Sequence, residues 1–216
     1  MQLIYKDDKK GIVKLKVTSL EDLWYLNQII TPKDIVKAKT YRKIKLNQQE
    51  ERSTKIIKKP ITLEIEVEKV EFHKTLNSLR INGRTTEALE DIPKGSFHTI
   101  NVEQDSTLTI TKTWLSYQKE KLKDSLKDTS TKIIICILDR DNSTIFILKN
   151  YGPELLLELE GDAQKKAYET KEQKDFYKEI ASQLTAINKK YQPTHIIIAS
   201  PAFWKENVIA YLNPVI

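Results

Sequence analysis

Apolar and polar positions alternate along much of the first half of the chain. Leu15 and Val17 alternate with Lys14 and Lys16, a period of two that predicts a strand over 11–17. A shorter strand over 1–5 precedes it across Lys6–Lys10 and Gly11, so the pair reads as a hairpin. Ser19 then opens a helix: its hydroxyl suits the free amide of Asp22, while Leu20, Leu23, Trp24 and Ile30 supply an apolar stripe. Pro32 ends it. Asp34–Leu46 reads as a strand. Pro60–Phe72 alternates at Ile61, Leu63, Ile65 and Val67, then changes phase to Val70 and Phe72. Such a change predicts a bulge or sharp bend, as small closed barrels require. Leu79–Gly83, Phe97–Val102 and Thr107–Thr111 complete a set of short strands, which with one helix predicts a small β-barrel.

Lys112–Asp128 reads as a charged helix carrying Leu115, Leu122 and Leu126, and Asp128–Thr131 as a short polar boundary. The texture then changes. Ile133–Asp139 reads as a strand, continuously apolar through Leu138, which predicts burial on both faces. Ser143–Leu148 and Leu155–Glu160 follow as strands, Glu172–Tyr191 as a helix, Ile196–Ser200 as another buried strand, and Phe203–Leu212 as a helix. That order predicts a layered α/β domain. The polar stretch Gln164–Lys174 reads as a loop. The predicted class is therefore α+β with two domains, 1–128 and 129–216.

Composition narrows the function classes. With 39% apolar and 31% charged residues the chain has enough material for real cores. No apolar run approaches the ~20 residues of a membrane span, and the N-terminus lacks a secretory layout. The single cysteine, Cys136, excludes a disulfide framework and a multi-cysteine zinc site. These features predict a soluble cytoplasmic protein.

The net charge of +6 is concentrated. Lys37–Lys59 carries nine basic residues against Glu50 and Glu51, a local +7, while the rest of the chain sums to −1. Charge this localised resembles a polyanion footprint. If the flanking strands pair, Asn47–Thr54 becomes the tip of a basic finger suited to nucleic acid, with salt-sensitive affinity. Tyr41 is the only ring in the segment, so sequence-specific single-strand reading is not indicated.

Other motifs are weaker. Phosphate-cradling and nucleophile-elbow glycine motifs are absent from the sequence. His73, His98 and His195 are far apart and read as hydrogen-bonded structural residues. Glu21 and Asp22 are adjacent acids that could help hold a divalent cation for phosphodiester hydrolysis. Helix-end acids explain them as well, and successive helical residues point about 100° apart. Asp139 and Asp141, at the end of a buried strand, fit either metal binding or a turn. Trp24, Trp114, Trp204 and Cys136 read as packing.

Five segments then carry a resemblance: Ser19–Trp24, Ala38–Thr40, Val67–Phe72, Leu79–Gly83 and Gly95–Ile100. In order and spacing they resemble the N-terminal domain of the archaeal Pelota family, over Met1 to about Asp128. A weaker likeness to the family's central domain continues through Ile133–Asp139, Gly161-Asp162 and Ser200–Phe203, the last lacking the expected glycine.

The resemblance implies an Sm-like barrel replacing a codon-reading domain, followed by a domain like the release-factor middle domain, ribonuclease H-like in fold. It implies a monomeric factor, a paralogue of the class-one release factor, that enters the empty A site of stalled ribosomes for rescue and mRNA surveillance. No Gly-Gly-Gln occurs, so peptidyl-tRNA hydrolysis is not expected. The family works with archaeal elongation factor one alpha and a recycling ATPase, largely through a third domain without counterpart in these 216 residues, which implies a piece of a longer protein. The basic segment then provides the expected RNA-backbone contacts: Arg42, Lys43, Arg52, Lys55, Lys58 and Lys59, with Arg80 as a further candidate outside it. Some archaeal members are described as metal-dependent endoribonucleases, which would assign Glu21 and Asp22 to Mg²⁺ or Mn²⁺. A free-standing Sm-like ring is the third reading, and the appended α/β domain makes it awkward.

Overall fold

The first hairpin is built around one carboxylate. Strands β1 (Gln2–Asp7) and β2 (Ile12–Lys16) pair antiparallel, and the Asp7 carboxylate accepts hydrogen bonds from the Lys9 and Lys10 amides at 3.0 and 3.1 Å. Gly11 closes the turn at φ +67°, a conformation that disfavours other residues. In this computed structural model, residues 1–45, 56–89, 92–127, 132–161 and 171–212 are described. Their contacts form two units, Met1–Asp128 and Thr129–Ile216.

In the first unit, α1 (Leu20–Ile29) follows the hairpin and buries Leu23, Leu26 and Ile29. Then come β3 (Ile35–Lys45), β4 (Ile56–His73), β5 (Ser78–Thr85), β6 (Phe97–Val102) and β7 (Thr107–Thr111). The seven strands form one sheet in the order β1-β2-β7-β3-β4-β5-β6. The phase change expected in β4 is a register shift between Val67 and Lys69. There Gly83 faces Val67, and a Cβ on it would lie 2.1 Å from the Glu66 carbonyl oxygen, so the close approach needs glycine.

The sheet curls strongly. Neighbouring strands lie about 4.8 Å apart, so a flat sheet would separate β3 from β6 by about 14 Å. Instead Thr40 Oγ1 on β3 and His98 Nε2 on β6 are 3.1 Å apart. The ladder stays open between β1 and β6 among the described residues. Inside the curl, Leu15, Val36, Ile65, Ile81, Ile100 and Ile110 pack with the apolar face of α1.

The helix expected over Lys112–Asp128 is shorter: α2 runs Ser116–Leu126. Two of the preceding residues, Lys112 and Trp114, are anchored to the rest of the unit instead. Lys112 Nζ donates to the Asp34 carboxylate and, at 2.8 Å, to the Ile29 carbonyl. Trp114 Nε1 donates to the Gly11 carbonyl at 2.8 Å. Those two anchors hold the chain extended until Leu115.

The second unit has a four-stranded sheet, β10-β9-β8-β11, formed by β8 (Ile133–Leu138), β9 (Asn142–Lys149), β10 (Gly152–Glu160) and β11 (His195–Ala199). Only β11 is parallel to its neighbour, β8. Helices α3 (Lys171–Tyr191) and α4 (Trp204–Leu212) bury Phe176, Ile180, Leu184 and Val208 against Ile134, Cys136, Ile145 and Ile147. The two-faced burial expected for β8 and β11 is not found. Ile137 and Ile197 are half exposed, because α3 and α4 share a core with the alternate residues of the sheet only. No helix among the described residues is long and apolar enough to cross a membrane.

Candidate nucleic-acid interface

The basic segment becomes a hairpin through its register. β3 and β4 pair from Ile35↔Glu66 out to Lys45↔Ile56. Two consecutive rungs set Arg42 opposite Lys59 and Lys43 opposite Lys58. Like charges at opposed positions disfavour pairing. Arg52 and Lys55 lie outside the described residues, as does the predicted tip Asn47–Thr54.

Nearer the body of the sheet, the Lys37 ammonium lies 3.8 Å from Glu64. Arg80, on β5, is exposed and opposite Glu71. That carboxylate is taken by Lys69 at 2.7 Å and by the Asn82 amide at 3.2 Å. The Lys69 hydrogen bond is the main reason the Glu71 carboxyl is held below its usual range. Arg80 therefore has no ion-pair partner among the described residues. Its cleft also includes Lys39 and Tyr41 of β3 and Asn101 of β6. Sequence reading missed Asn101, since only the cross-strand register brings it beside Arg80.

Glu21 and Asp22 do not converge on a shared site. Asp22 is buried, and its two oxygens accept five hydrogen bonds. The Met1 ammonium and Ser19 Oγ donate to one at 2.8 and 3.0 Å. Thr18 N, Thr18 Oγ1 and Ser19 N donate to the other at 2.6, 2.8 and 3.1 Å. It completes a capping box with Ser19. Burial alone would raise its pKa, but the bonds from the N-terminal ammonium and Thr18 outweigh it and hold the carboxyl below the usual range. A metal at Asp22 would have to displace this shell. Among the described residues no group of three or more acids, histidines or cysteines could hold a metal ion.

The stability consequence has a definite sign. A carboxyl with a lowered folded-state pKa stabilises fully above its unfolded value near 4, and that contribution is lost as pH falls through the lower folded value. The Met1–Asp128 unit should therefore weaken below about pH 4. Asp22→Asn should flatten that acid limb and lower stability at neutral pH by about 1–3 kcal/mol, as checked by urea unfolding from pH 2 to 7. An unchanged acid limb would remove Asp22 as its source.

The remaining candidates have local explanations. Asp139 accepts from the Asp141 and Asn142 amides at 2.8 and 2.7 Å, a turn between β8 and β9. Cys136 is buried 3.6 Å from Ser143 Oγ, and burial pushes its thiol up. His98 bridges to Thr40, and His73 Nε2 is buried without a hydrogen-bond partner among the described residues.

The family model of the Pelota N-terminal domain matches residues 1–126. The chain belongs to the Pelota family. It is 32% identical to the protein pelota homolog of Thermococcus gammatolerans over 219 aligned residues, covering 99% of this chain and 61% of that protein. Identity to the homolog of Pyrococcus abyssi is 33%, covering 99% and 62%. This Pelota-family chain thus spans about three-fifths of the length of these curated relatives. The crystal structure of Thermoplasma acidophilum Pelota is similar with a TM-score of 0.68 at 22% identity, covering 99% of this chain and 59% of that one, a likeness in fold. A model of ribosome-bound archaeal Pelota and ABCE1 is similar with a TM-score of 0.52 at 31% identity, covering 99% and 62%.

Proposed function

We propose that this chain is the ribosome-entering part of a Pelota-type rescue factor. The observation that carries the reading is the β3–β4 hairpin. It concentrates the basic excess of the chain and places cations opposite cations on two consecutive rungs. A hairpin so charged fits a groove walled by phosphates, and contacts to phosphates fix position without reading sequence. That suits a factor that must bind an empty A site whatever the codon. The likeness to ribosome-bound archaeal Pelota supports the same partner.

In this reading Met1–Asp128 serves the decoding site and Thr129–Ile216 is the central domain. The factor works as a monomer in the cytoplasm and leaves peptidyl-tRNA intact. Elongation factor one alpha and the recycling ATPase are partners of the whole protein. The competing reading, mRNA cleavage with Mg²⁺ or Mn²⁺ held by Glu21 and Asp22, has no observation in its favour, since Asp22 is already saturated by five donors.

Sedimentation of the chain with archaeal ribosomes tests both. Ribosomes with an empty A site should carry it down, and ribosomes with an A-site tRNA should not. Equal binding to the two would overturn the reading. Labelled mRNA in the same mixtures should stay intact with either metal. Cleavage lost in a Glu21→Gln/Asp22→Asn variant that still binds would transfer the function to the nuclease.

A further inference from the structure

The curl of the first unit leaves two strand edges facing a common space. β3 pairs with β7 only from Ile35 to Ala38, so beyond Ala38 that edge of β3 has no ladder partner among the described residues. β6 is the last strand of the sheet, and its outer edge has no ladder partner there either. The Thr40–His98 bridge ties these edges together. Beside it opens a cleft of about 850 Å³, lined by residues of β3, β5, β6 and the β6–β7 turn. That volume is in the range of small-molecule sites and accommodates a nucleotide.

The chemistry of its walls is selective. The Tyr41 side chain stands 65% exposed, and its hydroxyl has no hydrogen-bond partner among the described residues. An exposed aromatic face on a polar strand offers a stacking surface that any base satisfies. Lys39 and Arg80, neither ion-paired among the described residues, put two cations on the same cleft. Asn101 adds an exposed amide able both to donate and to accept. Two acids, Glu103 and Asp105, sit at the β6–β7 turn. Asp105 is neutralised by Lys16 at 2.8 Å, which leaves the cations in excess. The cleft adjoins the basic rungs along the chain, since Tyr41 immediately precedes Arg42.

We propose that this cleft takes a nucleotide of single-stranded RNA, its base stacked on Tyr41, its phosphate between Lys39 and Arg80, and its sugar or phosphate bonded to Asn101. The proposal rests on the RNA-binding reading of the hairpin and extends it from backbone attraction to a stacking site. It requires no sequence preference, because stacking tolerates every base.

Binding of a fluorescent ten-nucleotide uridine oligomer to the full chain, followed by anisotropy across a salt series, tests it. Tyr41→Ala should weaken binding about tenfold with an unchanged salt slope, because a stack and not a charge is lost. Tyr41→Phe should bind within about twofold of the parent, keeping the ring. Arg80→Gln should reduce the slope by about 0.7, one phosphate contact to a single strand. In an NMR titration with the same oligomer, the Tyr41 and Asn101 resonances should move. Wild-type affinity for Tyr41→Ala, with binding still lost on charge reversal in the hairpin, would overturn the cleft and leave the hairpin reading standing. Affinity indifferent to both sets would overturn both. Resonances silent toward the oligomer but shifted by an eight-residue Thr-Val repeat peptide would make the cleft a strand acceptor and end the RNA assignment.

Discussion

Reversing Arg42, Lys43, Lys58 and Lys59 to Glu should abolish ribosome binding at physiological salt and remove most of its salt dependence. Each phosphate contact contributes about 0.9 to the slope of log K against log salt on a duplex, so losing four lowers the slope by about 3–4. At 0.15 M salt the same four contacts account for roughly a 10³-fold change in affinity, before the repulsion of the new carboxylates is counted. The variant should nevertheless fold as well as the parent. Its two altered rungs still pair like with like, but these positions lie on the projecting end of the hairpin, beyond the last β3–β7 pair at Ala38. Co-sedimentation from 50 to 300 mM salt, alongside circular dichroism of the variant, separates lost affinity from lost structure. Binding that survives with an unchanged slope would show that the footprint lies elsewhere.

Much of this arrangement was legible in the sequence because it rests on local rules. The change of apolar phase between Val67 and Val70 marked the bulge, since a period of two cannot skip a residue without one. The Ser19–Asp22 spacing marked the cap of α1. The basic segment marked the hairpin because its charge is contiguous in the chain. What failed depended on neighbours far away in sequence. Continuous apolarity in Ile133–Leu138 suggested two covered faces, yet the described helices share a core with one only. Asp22 read chiefly as a helix-end cap with a metal as the lesser alternative; of the five donors that engage it, those from Thr18 and Ser19 are local and only Met1 is distant in the chain. Asn101 and Arg80 are brought together by β5–β6 register, which no periodicity reveals. Lys112 was hidden most completely, because a lysine in a charged stretch reads as surface.

Lys112→Ala should destabilise the first unit by about 3–5 kcal/mol, the cost of leaving the partner of a buried ion pair without its countercharge. The Lys112 side chain is 3% exposed and that of Asp34 10%. Besides the carboxylate, the ammonium donates to the Ile29 carbonyl at 2.8 Å and Thr31 Oγ1 at 3.2 Å, and it lies 5.7 Å from the centre of the Trp114 ring. Its loss therefore unties the end of α1, the turn into β3 and the segment leading to α2 together. Asp34 also accepts from Thr31 N and Oγ1 at 2.8 and 3.1 Å, and these two bonds would have to hold a buried charge alone. Against a typical stability of 5–15 kcal/mol, the expected fall in melting temperature is about 10–20 °C. Lys112→Met with Asp34→Asn should recover more than half of the loss, because the amide keeps an acceptor for Thr31 while no buried charge is left unpaired. Thermal unfolding of Lys112→Met, of Asp34→Asn and of the double variant gives the coupling energy directly. A cost below about 1 kcal/mol for Lys112→Ala, or a double variant no better than the singles, would reduce the pair to an ordinary surface contact and return the short α2 to an unexplained feature.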